Sequence, residues 1–133
     1  MRNFDYLKEI PELADLYNYC NAAELSQQSA PDVSALNARR ALEWMVRAIY
    51  ELKNIKIGVR TSLFELIDGD PFRTFVGDER LMMAVHYIRK VGNCAAHTGS
   101  VSKRESFFAS AQSIQFHRGC TRQIADHRRT ATV

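Results

Sequence analysis

The chain has 133 residues, 46% of them hydrophobic and 25% charged, with a formal net charge of +3. That length predicts one domain with a core of its own, and the apolar content excludes a disordered chain. Six Gly and three Pro exclude a collagen-like or low-complexity chain, while the excess of base directs attention to nucleic acid.

The opening residues mix charged and apolar side chains, so no apolar h-region of a signal peptide is present. No run approaches the ~18 apolar residues of a membrane span. A cytoplasmic protein with no membrane contact is therefore expected. Cys20, Cys94 and Cys120 are far apart and form no CxxC pair. They predict no disulfide framework and no zinc site, and read as small buried hydrophobes or a surface thiol.

The pattern is helical almost throughout. Over 10–23, Ile10, Leu13, Leu16, Tyr17, Cys20 and Ala23 mark one helix face, with Pro11 suited to the first turn. After a break at 27–31, Asp32 or Ser34 is expected to cap a second helix running to about Lys53. Its core positions Ala38, Leu42, Met45, Ile49 and Leu52 step by 4, 3, 4 and 3. This should be the central helix, with Arg39, Arg40, Glu43 and Arg47 on its polar face. Residues 54–60 form a linker. Ser62-Leu63-Phe64-Glu65 fits a capping box and starts a short helix through Ile67. Asp68-Gly69-Asp70-Pro71 ends it, and 72–76 suggest one more turn.

A further long helix is predicted over 78–96, with Leu81, Val85, Ile88, Gly92 and Ala95 as its core face. Gly92 and Ala95 on that stripe imply a close partner helix. Ser102-Lys103-Arg104-Glu105 is a second capping box, followed by a face of Phe107, Phe108, Ala111 and Ile114. From His117 the apolar rhythm stops among arginines. The expected division is a helical domain over 1–116 and a basic, disordered tail over 117–133. No strand-like alternation occurs. The fold class is all-α, an antiparallel bundle of four to five helices.

The charge is unevenly spread. Residues 1–100 carry 12 Lys and Arg against 13 Asp and Glu, whereas 101–133 carry 6 against 2. The helical body is nearly neutral, and the basicity belongs to the stretch that contains the expected tail.

One constellation could carry chemistry. His86, Arg89, Asn93 and His97 follow one another by three or four residues along a single helix face. An Arg fork suits phosphate, and a His can move a proton near neutral pH. Such a pair could cleave RNA without metal, the His deprotonating a ribose 2′-hydroxyl and the Arg stabilising charge on phosphorus. The structural alternative assigns Asn93 to a helix end, His97 to a C-terminal cap and Arg89 to a neighbouring acid. No Walker loop, GxSxG, HExxH or paired-carboxylate cluster occurs, so no cofactor and no metal is expected.

The stretch His86-Tyr87-Ile88-Arg89-Lys90-Val91-Gly92-Asn93-Cys94-Ala95-Ala96-His97 resembles the hxIRxxGNxAAH signature of a helical domain family grouped with the HEPN superfamily. That family occurs at the N-terminus of type I restriction enzyme R subunits and related helicases. Phe4-Asp5-Tyr6-Leu7 with Pro11-Glu12-Leu13 is similar to its opening. Ala38-Arg39-Arg40-Ala41-Leu42-Glu43 is similar to its ARxALE motif, and Thr61-Ser62-Leu63-Phe64-Glu65-Leu66-Ile67 to its TLFELI segment. The resemblance covers roughly residues 1–108.

The resemblance implies a HEPN-like bundle, with Arg89, Asn93 and His97 as catalytic candidates. Catalytic HEPN ribonucleases carry an Arg followed at short spacing by a His, and act as dimers. Here seven residues separate Arg89 from His97, and Asn93-x-x-x-His97 keeps part of that pattern. Arg39, Arg40, Arg47 and Lys90 are the candidates for nucleic-acid contact. The implied partners are nucleic acid, restriction-system subunits and a second copy of the chain. After Phe107-Phe108 the family continues an apolar helix, whereas 109–133 turns polar and basic. The chain therefore reads as a truncated R-subunit-like piece, with an altered reading frame after about Phe108. The leading expectation is an accessory module of a defence system that contacts nucleic acid or protein. The alternatives are a HEPN-type metal-independent ribonuclease or toxin-like enzyme, and an inert fragment.

Overall fold

The computed structural model describes residues 3–131. Residues 1–2 and 132–133, the outer ends of the two expected segments, lie outside the described residues. The architecture is all-α, with no strand among the described residues. After two short 3-10 turns come α1 (Ala14–Leu25), α2 (Pro31–Leu52), α3 (Leu63–Asp68), α4 (Asp70–Val76), α5 (Glu79–His97) and α6 (Lys103–Ala131).

Local chemistry sets most of the helix starts. Ser62 caps α3 through its hydroxyl, which accepts from the Glu65 backbone N–H, while Glu65 reaches back to the Ser62 backbone. Asp78 caps α5 by accepting from the Arg80 and Leu81 backbone N–H groups. Ser102 and Glu105 form the second capping box, both bonds at 3.0 Å. The start of α2 differs from expectation. Pro31 occupies its first turn, no side chain caps it, and Asp32 lies in that turn. Ser34 is buried instead, and its hydroxyl donates to the Ala23 carbonyl at 2.6 Å, tying α2 to the end of α1. Gly77 closes α4 in the left-handed region, φ 60°.

Three long helices, α1, α5 and α6, pack around α2. Side-chain contacts show their directions. Gln27, just beyond α1, donates to Ser110 near the start of α6, while Arg129 at the end of α6 pairs with Glu12 just before α1. Arg128 likewise reaches Glu51 near the end of α2. So α2 and α6 run one way, and α1 runs the other. One continuous core joins Leu13, Leu16, Leu42, Met45, Ile49, Ile67, Phe72, Val85 and Ile88 to Phe116, Cys120 and Ile124. On α5, Val85, Ile88 and Gly92 are buried as expected, whereas Leu81 and Ala95 are half-buried.

The expected disordered tail over 117–133 is corrected as far as residue 131. Those residues continue α6, and His117, Cys120, Thr121, Ile124 and Ala125 are buried. The domain boundary at 116 therefore falls inside a helix and inside the core. The buried stripe of α6 runs Ser106, Ser110, Ser113, His117, Cys120, Ile124, stepping by 4, 3, 4, 3 and 4. Helical periodicity is intact, but small polar residues carry it. The expected face is also corrected, because Phe107, Phe108 and Ala111 are exposed. The loss of apolar rhythm behind the altered-frame reading is thus a change in which residue types line the buried face.

His117 is the most unusual member of that stripe. It is fully buried, edge-on to Phe116 at 5.0 Å and to Phe4 at 6.5 Å. Neither ring nitrogen has a hydrogen-bond partner among the described residues. Burial pushes its pKa down to about 3.

Candidate functional site

Helix α5 carries Arg89, Asn93 and His97, and its inner face determines what each can do. Gly92 lies where α2 crosses. A Cβ there would collide with Cβ of Arg39 and sit 2.8 Å from its Cδ. The Arg39 stem therefore lies across Gly92, and its Nε donates to Asn93 Oδ1 at 2.8 Å. The other side of the guanidinium faces Glu43 at 3.7 Å, and Glu43 faces Arg47 at 3.5 Å. Asn93, Arg39, Glu43 and Arg47 thus form one chain of polar contacts joining α5 to α2.

This close approach reverses the usual sign of a glycine-to-alanine change in a helix. In an open helix, Gly→Ala gains roughly 0.5–1 kcal/mol. Gly92→Ala is expected instead to cost about 1–3 kcal/mol, because the new methyl group overpacks the crossing. Urea denaturation reads the difference. A stabilised Gly92→Ala protein would show that α2 and α5 can separate there at little cost.

Arg89 takes a different partner. Its guanidinium carbon lies 5.0 Å from the centroid of the Phe64 ring, on α3. Arg89 Nε is sealed from solvent and has no hydrogen-bond partner among the described residues. His86 packs its ring against the same Phe64 at 5.8 Å. Burial and then the Arg89 charge push the His86 pKa down, so the ring is neutral at pH 7. His97 is the exposed last residue of α5. About 12 Å of helix axis separates it from Arg89, at ~1.5 Å per residue. The three candidate catalytic residues share a helix face, yet the structure sends them to three surroundings: Phe64, Arg39 and solvent.

The nucleic-acid candidates also divide. Arg40 and Arg47 line a groove with Tyr19, Glu43 and Trp44 on α1 and α2. Arg39 is committed to Asn93. Lys90 is exposed and lines a separate open groove of about 400 Å³ with Phe64, Met83, His86, Tyr87 and Arg89. Comparison with family models, with curated proteins and with solved structures finds no match to this chain.

Sequence reasoning missed Phe64, Met83 and Tyr87 as surface features. A signal for Phe64 was available. The Ser62 capping box sets the phase of α3, so that Leu63, Leu66 and Ile67 turn inward and Phe64 turns outward. The basic C-terminal residues are also engaged in ways that composition hides. Arg128 stacks on Trp44 at 4.7 Å and pairs with Glu51 at 3.1 Å, and Arg129 pairs with Glu12 at 3.3 Å. Among the described residues, no group of three His, Cys, Asp or Glu is placed to hold a metal ion. No helix among the described residues is long and apolar enough to cross a membrane.

Proposed function

We propose that this chain is a helical interaction module of the kind found at the N-terminus of type I restriction R subunits, acting by contact rather than by catalysis. The observation that carries this reading is the bond from Arg39 to Asn93 across Gly92. It gives the Gly92-Asn93 pair a structural task, the locking of α5 onto α2. A general base needs an orienting partner and a position next to the reacting atom. His97 is exposed and stands a long way down the helix from Arg89. The surface that remains available on α5 is cationic and aromatic, which suits a contact role in a defence system.

The test is incubation of RNA with the folded protein in the absence of metal. The RNA is expected to stay intact, and Arg89→Ala and His97→Ala proteins to behave like the wild type. Metal-independent cleavage that disappears in His97→Ala would establish the HEPN-type ribonuclease reading instead.

A further inference from the structure

We infer that the groove between α3 and α5 binds single-stranded nucleic acid, with an unpaired base stacked on Phe64 and the flanking phosphates held by Arg89 and Lys90. This rests on the reading of the chain as an interaction module and names its ligand class and site. Phe64 is 48% exposed, although Leu63, Leu66 and Ile67 on the same short helix are buried. A large ring kept half in water beside a guanidinium and an imidazole is a flat, preformed platform. Every nucleobase has a π-face that can use such a platform. The Arg89 guanidinium and the His86 ring hold Phe64 in place, so little side-chain freedom is lost on stacking.

The charges point the same way. No carboxylate lines the groove. The acid next to Phe64 in sequence, Glu65, is turned back onto the Ser62 backbone N–H and hydroxyl. Asp68, at the end of α3, is occupied by Arg73, which pairs with its side chain at 3.0 Å and bonds its backbone carbonyl at 3.1 Å. Among the described residues neither Lys90 nor Arg89 forms an ion pair, so both cations are available to an anion. Because the neutral His86 adds surface rather than charge, cation and platform stay distinct. Single-stranded nucleic acid supplies a flat base and a phosphate at every nucleotide. A duplex keeps its base faces covered, and a peptide would need an aromatic anchor flanked by acids.

The platform also extends along α5. Met83 and Tyr87 are shared with an adjoining cavity of about 580 Å³ that reaches Phe108 on α6 and also holds Arg80 and Asp78, whose carboxylate is engaged in capping α5. Tyr87 and Phe108 meet edge to face at 5.0 Å, and Phe108 is half exposed, like Phe64. A second base has a surface there, so the site is expected to take a strand rather than a lone nucleotide.

Fluorescence anisotropy on the full chain tests this with four labelled probes. These are oligothymidylate and oligouridylate of about 12 nucleotides, within the ~4–16-nucleotide span of a small single-strand module, a DNA duplex of equal length, and an acidic peptide. Both single strands are expected to bind more tightly than the duplex or the peptide. Phe64→Ala should weaken single-strand binding by about tenfold, and Phe64→Trp should retain it. Lys90→Ala should reduce the salt dependence by about one released counterion. Lys56→Ala, on an exposed loop outside the groove, should change neither.

Circular dichroism of each variant verifies folding. Single-strand affinity unchanged in both Phe64→Ala and Lys90→Ala, or equal duplex affinity, or no single-strand binding at all would overturn the inference. Peptide binding with inert oligonucleotides would overturn it while leaving the interaction-module reading in place. Cleavage of the oligouridylate in the same samples would defeat that broader reading instead.

Discussion

A chain ending at Phe116 is expected to lose its cooperative fold. The residues removed include buried His117, Cys120, Ile124 and Ala125, three of which lie in one core with Phe4, Leu7, Leu13 and Leu16. Burying an Ile side chain contributes about 1.5–3 kcal/mol, and Ile124 is fully buried. Removing it with its neighbours also exposes the apolar surfaces they cover on α1 and α2. The sum rivals the ~5–15 kcal/mol that separates a typical domain from its unfolded state. The truncation further removes the Arg128 contact with Trp44 and Glu51 and the Arg129 pair with Glu12. Those exposed pairs add little, so the core loss decides the outcome. A urea melt followed by far-UV circular dichroism is expected to show no sigmoidal transition. Ile124→Ala in the full chain is the milder version, expected to cost about 2–5 kcal/mol. A cooperative melt of the 1–116 chain at the wild-type midpoint would show that the second half of α6 is dispensable.

The second large effect is acid sensitivity centred on His117. In the unfolded chain this imidazole titrates near ~6.5, whereas in the fold burial holds it down to about 3. Between those values the unfolded state binds a proton that the folded state refuses. Stability therefore rises with pH across that window. The contribution is fully present above about pH 6.5 and is lost as pH falls toward the folded value. One such group changes stability by about 1.4 kcal/mol per pH unit inside the window. His86, also shifted down, adds in the same direction. The clean range is about pH 6.5 to 5, above the usual carboxylate titrations. His117→Leu is expected to flatten the dependence there. It should also raise stability at pH 5, because two unpaired ring nitrogens leave the core. An unchanged slope in His117→Leu would assign the acid sensitivity to other groups.

The groove at Phe64 and the core position of His117 share a cause. Both depend on α3 and α6 reaching residues far away in sequence, and both involve residue types that hydropathy alone places poorly. In α6 the two largest apolar residues of the first turns, Phe107 and Phe108, face outward, while Ser106, Ser110 and Ser113 face inward. Small side chains let α6 lie close to its neighbours, and Ser110 accepts from Gln27 across that contact at 2.9 Å. A hydroxyl in such a place is tolerated when a partner satisfies it.

Some of this was determined by the sequence alone, because the physics involved is local. The all-α class, the central second helix and the capping boxes at Ser62 and Ser102 depend on periodicity and on side chains reaching backbone three residues away. The close approach at Gly92 was also foreseeable, since only a residue without a Cβ leaves that room. Spacing likewise put Arg89, Asn93 and His97 on one face of α5. Tertiary structure decided the rest. It assigned Asn93 to Arg39 and Arg89 to Phe64, left His97 in solvent, and folded the basic C-terminal stretch into the core. A helix face states which residues travel together. Which of them are buried, and against what, depends on the surfaces that other helices bring. For a serine, a histidine or an arginine stem, that neighbour outweighs the residue's own hydropathy.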